Sequence, residues 1–309
     1  MSIPAILRQP HLQTWSLHID RAPPALWLGL LTAALWPTWH WMALRLADGS
    51  DDPLGLLALA ALGALAWAVR HELRHTPRLP LLAAAGAGVL AATAWRAHLP
   101  PLLGSLMAVL AWAAGLLAFL PDARRGAQPV RHGLLWPAPR RAIAALPVLG
   151  LAVLALPLIA SLQFYAGYPL RVLTAQASAW LLAPWFEVQR QGASLQVDGL
   201  LVIVDAPCSG VQMAWAGYFT ACAVALCAGL GNRAFALRLP LVGLAVLAGN
   251  VARNTVLVAL AATGHGALPG VHEGVGLLAL AAVCAAIALG MARPAHARPH
   301  PSPIKLSNQ

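Results

Sequence analysis

Long apolar runs separated by short polar connections dominate the chain. A helix needs about 20 predominantly apolar residues to cross the hydrocarbon core of a bilayer. Eight segments meet or approach this length, over residues 25–44, 53–69, 79–95, 102–120, 142–163, 208–230, 239–263 and 275–292. The pattern predicts an all-α polytopic membrane protein with about eight transmembrane helices, some of them bent by an internal proline (Pro37, Pro147, Pro157).

One connection, 164–207 between the fifth and sixth spans, is much longer than the others. Within it, 172–185 is apolar but too short and interrupted to cross a bilayer, which favours a short interfacial or re-entrant helix. The stretch 194–205 is rich in β-branched residues and contains the turn signal Asp198-Gly199. This stretch predicts a β-hairpin that lies over the sixth span.

The apolar pattern also divides the chain into regions. We expect an N-terminal segment over 1–24, four N-terminal spans within 25–141, and a core of four spans over 142–292 that contains the insertion 164–207. The residues after 292 form a proline-rich basic tail, predicted to be disordered. The first 24 residues are polar and include Pro10, Pro23 and Pro24, so we expect no cleavable signal peptide.

Composition excludes several classes of protein. Of 309 residues, 60% are hydrophobic and only 10% are charged, whereas a soluble domain has about 25% charged residues. A soluble enzyme, a disordered chain and a nucleic-acid-binding domain are therefore disfavoured. The net charge of +10 comes from basic residues between the apolar runs, as expected for a polytopic membrane protein.

The positions of the basic residues predict the orientation. Alternate connections and the two terminal segments carry fifteen of the twenty lysines and arginines. The remaining connections carry most of the acidic residues, including Asp51, Asp52 and Glu273. The positive-inside rule then places both termini in the cytoplasm, which agrees with an even number of spans.

Cys208 is the first candidate for chemistry, because it opens the predicted sixth span directly after Pro207. Proline suits a first helical turn, and the free N–H groups there favour a thiolate, which is the nucleophilic form. Asp205 would oppose this if its carboxylate pointed inward. The alternative is that Cys208 is simply a small apolar residue, as we interpret the three cysteines within spans: Cys222, Cys227 and Cys284.

Arg253 is the second candidate. Counted from Leu239 at about 1.5 Å per residue, it lies roughly 21 Å into the seventh span. A buried arginine costs at least a few kcal/mol, so intramembrane charges are usually functional. Asn250 and Asn254 share its helix face. The alternative is an arginine that reaches the interface because the span ends earlier.

His272 is the third candidate, just before the eighth span on the same side as Cys208, with His265 as a competitor on the same loop. A lone interfacial histidine often serves only as a cap. Position 276 is glycine, so His272 lacks the second histidine of a zinc-protease motif, and we expect no metal or cofactor. Together, a cysteine nucleophile, a histidine acid/base and Arg253 as oxyanion donor form a complete acyl-transfer set.

The order of these motifs resembles the exosortase/archaeosortase family. The residues that carry the resemblance are Ala-Pro-Cys-Ser-Gly at 206–210, Gly-Asn-Val-Ala-Arg at 249–253, and His272 followed by Gly276. The resemblance covers about 169–292. Each motif alone is short, whereas the ordered set of three is specific.

The resemblance implies a cysteine protease-transpeptidase of the bacterial inner membrane with its active site on the extracytoplasmic face. Its partners would be the lipid bilayer and exported proteins with a C-terminal sorting signal, namely a short motif, a transmembrane helix and a basic cluster. Cys208 would attack the scissile carbonyl, His272 would act as acid/base, and Arg253 would stabilise the oxyanion. Ser209, Gly210 and Asn250 would support them.

A transporter is the rival interpretation, because an intramembrane arginine and bent helices also suit a carrier of an anionic solute. No internal repeat relates the two halves of the chain, which disfavours it. A carrier should tolerate Cys208→Ala, whereas a cysteine protease should not. A non-catalytic scaffold would tolerate Arg253→Ala as well, but would leave the cost of burying Arg253 unexplained.

Overall fold

The computed structural model describes residues 22–49, 51–121, 143–204, 209–265 and 270–293. Three predicted features therefore lie wholly or largely outside the described residues: most of the N-terminal segment, the tail, and Cys208 itself. The described residues form ten helices and one small sheet. The helices are α1 (Pro24–Ala34), α2 (Trp36–Ala47), α3 (Gly55–Ala68), α4 (Leu79–Ala94), α5 (Pro101–Phe119), α6 (Ala145–Leu154), α7 (Ile159–Leu182), α8 (Val211–Cys227), α9 (Asn232–Ala262) and α10 (Val271–Ala292).

Three of these helices are long and apolar enough to cross a membrane. They are α5, α9 and α10, and the bent pair of α6 and α7 adds a fourth if it is taken as one span. Helices α1, α3, α4 and α8 are apolar but shorter. The protein is thus mostly helical with three to four candidate membrane spans, and the count of eight remains a prediction.

Prolines explain why two predicted spans are interrupted. The first span breaks at Leu35, and Pro37 lies in the first turn of α2, where its missing N–H costs little. The fifth span breaks between α6 and α7, whose axes differ by 93°. Pro157 lies in this break; it has no N–H to donate and its ring obstructs a continuing helix.

The helix that follows the bend at Pro157 also changes the bounds of the predicted short helix 172–185, whose interfacial or re-entrant position stays a prediction. Helix α7 runs without interruption over Ile159–Leu182, so the end of the predicted fifth span and most of the separate segment 172–185 are one helix. Hydropathy divided them because Gln163 and Arg171 interrupt the apolar run. Their side chains lie on a helix that turns away from α6.

The connection after α7 folds into a three-stranded antiparallel sheet, one strand more than the expected hairpin. Its strands are β1 (Val188–Gln191), β2 (Ser194–Val197) and β3 (Leu200–Ile203), in the order β1-β2-β3. Asp198 (φ 47°) and Gly199 (φ 84°) link β2 to β3. Positive φ at both residues is the requirement of a tight two-residue hairpin turn.

The sheet packs on α7 and α9. Leu195 and Val197 of β2 are fully buried, while Gln196 between them is exposed. This alternation buries one face of the strand, which contacts Leu182 of α7 and Val258 of α9 in one apolar cluster. The hairpin was expected over the sixth span, α8, and its packing against α7 and α9 corrects that expectation.

The main core lies where α8, α9 and α10 meet α3 and α6. Its buried residues include Val148, Leu151, Trp215, Val246 and Ile287. At the end of this bundle opposite the sheet, the Arg238 guanidinium of α9 donates hydrogen bonds to three backbone carbonyls at the end of α10, those of Gly290, Met291 and Arg293. A cation at a helix C-terminus satisfies carbonyls that have no intrahelical partner.

Candidate active site

A cavity of about 560 Å³ lies between the start of α8, the middle of α9 and the start of α10. Its volume falls within the range of small-ligand and peptide pockets. Both apolar and polar residues line it. The lining consists of Asp52, Pro53, Leu54, Gly210, Gln212, Met213, Ala216, Arg253, His272, Glu273, Gly276, Leu277 and Leu280.

Arg253 and His272 meet in this cavity. Arg253 Nη2 lies 3.2 Å from His272 Nε2, although the two residues come from different helices. His272 is the second residue of α10, which begins at Val271 after Gly270. The expectation of a loop histidine ahead of the helix is therefore wrong, because the polar His-Glu pair lowers the local hydropathy without ending the helix.

This contact fixes the proton on the imidazole. A guanidinium has only donors, so His272 Nε2 must accept with its lone pair. In the tautomer that makes this contact, the Nδ1 atom carries the ring proton. Before Nε2 can take up another proton, it must release Arg253.

Gly276 leaves space for the arginine. It lies one turn after His272 on the same face of α10. A Cβ atom at position 276 would lie 3.4 Å from both Nε and Nη2 of Arg253. An alanine here would be in ordinary van der Waals contact with the guanidinium, so glycine leaves the arginine a small clearance at this position.

Gly210 joins the motif around Cys208 to the motif around Arg253. Its φ of +85° is rarely adopted by residues with a side chain. An added Cβ would lie 2.9 Å from both Cγ and Nδ2 of Asn250, which is closer than atoms can pack. Glycine is thus required by the backbone conformation and by the neighbouring helix.

Asn250 is buried, with 2% of its surface exposed. Its side-chain Nδ2 donates a hydrogen bond to Thr174 Oγ1 over 3.1 Å, and its backbone carbonyl accepts one from Asn254 Nδ2. Asn250 therefore connects α9 to α7 and contacts Gly210. Its expected support of Arg253 stays a prediction.

Ser209 anchors the chain just before α8. Its hydroxyl donates to Gln163 Oε1 over 2.9 Å and accepts from the Val211 N–H. Helix α8 begins at Val211, three residues after the expected start at Cys208, and Pro207 itself lies outside the described residues. The helix starts later because Gly210 has left-handed backbone geometry.

The competing residues lie elsewhere. His265 is exposed, and its Nδ1 lies 3.2 Å from Thr263 Oγ1; it does not line the cavity. The three described cysteines are free and do not line it either, and only Cys222 is buried, whereas Cys227 is exposed and Cys284 half-buried. Within the described ranges, no group of three or more His, Cys, Asp or Glu residues could hold a metal ion.

Sequence reasoning missed two polar residues of the cavity, Asp52 and Gln212, and assigned no role to Glu273. Asp52 lies far away in the chain, in the connection between α2 and α3, and only tertiary packing brings it here. Gln163 and Thr174, which hold Ser209 and Asn250, were also missed. Polar residues within a predicted apolar segment were the available signal for them.

Comparison with known families gives one match. A family model described as transmembrane exosortase matches residues 41–289, which is most of the chain and includes every described residue of the cavity. No curated protein and no solved structure matches the chain.

Proposed function

Because the chain belongs to the transmembrane exosortase family, we propose that it is a membrane cysteine protease-transpeptidase that acts on exported proteins. Its substrates would carry a C-terminal sorting signal with a transmembrane helix. The observation that carries the proposal is the contact between Arg253 and His272 in a cavity that Gly210 also lines. Cys208 precedes Gly210 by two residues, and two residues of extended chain span about 7 Å.

In the proposed reaction, the Cys208 thiolate attacks the scissile carbonyl carbon and the carbonyl oxygen becomes an oxyanion. The C–N bond then breaks, and His272 gives its proton to the leaving amine. An acceptor amine or water then attacks the remaining thioester carbonyl carbon while His272 takes up its proton; the C–S bond breaks and the Cys208 thiolate is released. Arg253 donates hydrogen bonds to the oxyanion, a contribution of about 10²–10³-fold in rate.

The hydrogen bond between Arg253 and His272 gives this reaction an order. His272 Nε2 takes the thiol proton only after it releases the guanidinium, since Nε2 cannot accept from Arg253 and carry a proton at once. The displaced guanidinium is then available for the oxyanion, which forms next. Proton uptake by His272 is thereby coupled to release of the Arg253 guanidinium, which then donates hydrogen bonds to the oxyanion.

The proposed location of this chemistry is the extracytoplasmic face of the bacterial inner membrane. The charge pattern predicts this side for residues 45–52, for the connection 164–207 and for the loop before α10. Asp52 of the first segment lines the cavity, and two further lining residues, Gly210 and His272, lie within three residues of the ends of the other two segments. Arg238, which is predicted to be cytoplasmic, binds carbonyls at the far end of α10, and this arrangement supports the same orientation.

The test compares exported proteins with a C-terminal helix in cells carrying the wild type or single variants. We expect unprocessed precursors to accumulate with Cys208→Ala, Arg253→Ala and His272→Ala, as seen by immunoblot and by mass spectrometry of protein C-termini. Cys222→Ala and His265→Ala are matched controls that should process normally.

Normal processing by stably inserted Cys208→Ala protein would refute the catalytic assignment. Loss of processing with His265→Ala but not with His272→Ala would reassign the acid/base. If Arg253→Ala alone abolished function while Cys208→Ala was tolerated, a carrier of an anionic solute would explain the data better.

A further inference from the structure

The cavity has one wall from the N-terminal half of the chain. Asp52, Pro53 and Leu54 line it, and they lie in the connection between α2 and α3. The other lining residues come from α8, α9 and α10. This connection between two N-terminal helices is thus physically part of the site.

A direct hydrogen bond joins this wall to the core. Gln212 Nε2, in the first turn of α8, donates to Asp52 Oδ2 over 2.8 Å. Asp52 is half-buried and Gln212 is exposed to the cavity. The bond orients the carboxylate and leaves its second oxygen available as an acceptor for a bound molecule.

Asp51, the residue before this wall of residues 52–54, holds the wall in place. Its side chain has 0% exposure, and its Oδ2 lies 3.6 Å from Arg45 Nη2. Its Oδ1 accepts hydrogen bonds from the backbone N–H groups of Asp52 and Ala160. Ala160 is the second residue of α7, so Asp51 caps that helix where N–H groups lack intrahelical partners.

The backbone is also fixed at the next helix. Gly55 begins α3, and a Cβ atom there would lie 2.5 Å from the carbonyl oxygen of Ala155. Segment 51–55 is therefore tied both to the bend between α6 and α7 and to the start of α8. A wall held this firmly is suited to recognising a ligand of fixed shape.

We propose that Asp52 is a specificity-determining residue that accepts a hydrogen bond from the substrate segment next to the scissile bond. This inference rests on the proposed function. An extended peptide carries both donors and acceptors along its backbone, and the cavity offers both complements: donors from Arg253 and an acceptor from Asp52. Arg253 donates a hydrogen bond to the scissile carbonyl oxygen. Asp52 accepts one from a backbone N–H or a basic side chain of the same segment.

The kinetic test uses full-length enzyme in detergent. The probe is an exported protein of the source organism that ends in a short polar motif, a transmembrane helix and a basic cluster. For Asp52→Asn we expect KM to rise about tenfold, as for loss of a charge-assisted hydrogen bond, with kcat changed less than about twofold. Glu187→Gln is the matched control, because Glu187 is exposed and does not line the cavity.

A second measurement does not depend on turnover. A photo-crosslinking amino acid at Leu54, introduced in Cys208→Ala protein, should capture the uncleaved probe, and adding Asp52→Asn should weaken this capture. The same group at Leu90, which is 72% exposed on α4, should capture none.

An unchanged KM with Asp52→Asn, a fall in kcat at constant KM, or equal capture from positions 54 and 90 would overturn the proposal. Failure of the proposed function has a different signature, since Cys208→Ala protein would then cleave the probe as well as the wild type does. Capture from position 54 in that case would still support the binding wall.

Discussion

Replacing Gly210 by alanine tests the contact that joins two of the three sequence motifs. Two separate costs are expected. Alanine at φ +85° costs about 1–2 kcal/mol. The new Cβ, 2.9 Å from the Asn250 amide, must displace a buried group that donates to Thr174, which costs about 1–3 kcal/mol more. The total is about 2–5 kcal/mol of unfolding free energy.

Two other glycines separate these costs. Gly264 has φ +78° but nothing within 4 Å of an added Cβ, so Gly264→Ala should show the backbone cost alone. Gly63 lies within α3 with ordinary φ and open space around it. Alanine there removes only the flexibility of glycine and should cause no loss of stability.

The assay is equilibrium unfolding in mixed detergent micelles, followed by the fluorescence of the twelve tryptophans. We expect the loss to decrease in the order Gly210→Ala, Gly264→Ala, Gly63→Ala. In the double variant with Asn250→Ala, the steric part should disappear, giving a coupling energy of about 0.5–3 kcal/mol. Equal losses for Gly210→Ala and Gly264→Ala would refute the contact with Asn250.

Two further predictions concern charges that hold the helices together. Asp51→Asn should cost about 1–3 kcal/mol in the same assay, because it leaves the half-buried Arg45 facing a neutral group and weakens the cap on Ala160. Part of the loss should be recovered when Arg45→Met is added, and a loss below about 1 kcal/mol would contradict the pairing. Arg238→Gln should cost about 1–3 kcal/mol, since it removes a charged donor from three carbonyls at the end of α10. Arg233 is exposed, so Arg233→Gln serves as the control and should leave the free energy of unfolding almost unchanged. Equal effects of the two changes would show that the contacts with the carbonyls contribute nothing.

The resemblance to the exosortase family is confirmed, and it depended on local features of the chain. Three short motifs in order are visible without any structure, and they point to Arg253 and His272. Their spacing also contains structural information: Gly276 follows His272 by one helical turn, where the arginine lies. The sequence could not show that Arg253 lies next to Gly276, because this contact is between α9 and α10.

The helices were predicted less accurately than the motifs. The run 102–120 corresponds closely to α5, Pro101–Phe119, because an uninterrupted apolar run dictates its own length. The segment predicted as the span 142–163 is not one straight helix, since the chain bends near Pro157 and continues as α7 through polar residues. Hydropathy measures transfer into lipid and says little about where a helix turns.

The sequence by itself determined that this chain enters a membrane and that it carries the motifs of the exosortase family, because apolar length and residue type are local properties. Only the tertiary structure decided which residues meet. Asp52 faces the same cavity as Arg253 and His272 because Asp51 is bound to the start of α7 and Gln212 to Asp52 itself. These contacts join residues more than a hundred positions apart, and such pairings arise from packing rather than from any pattern along the chain.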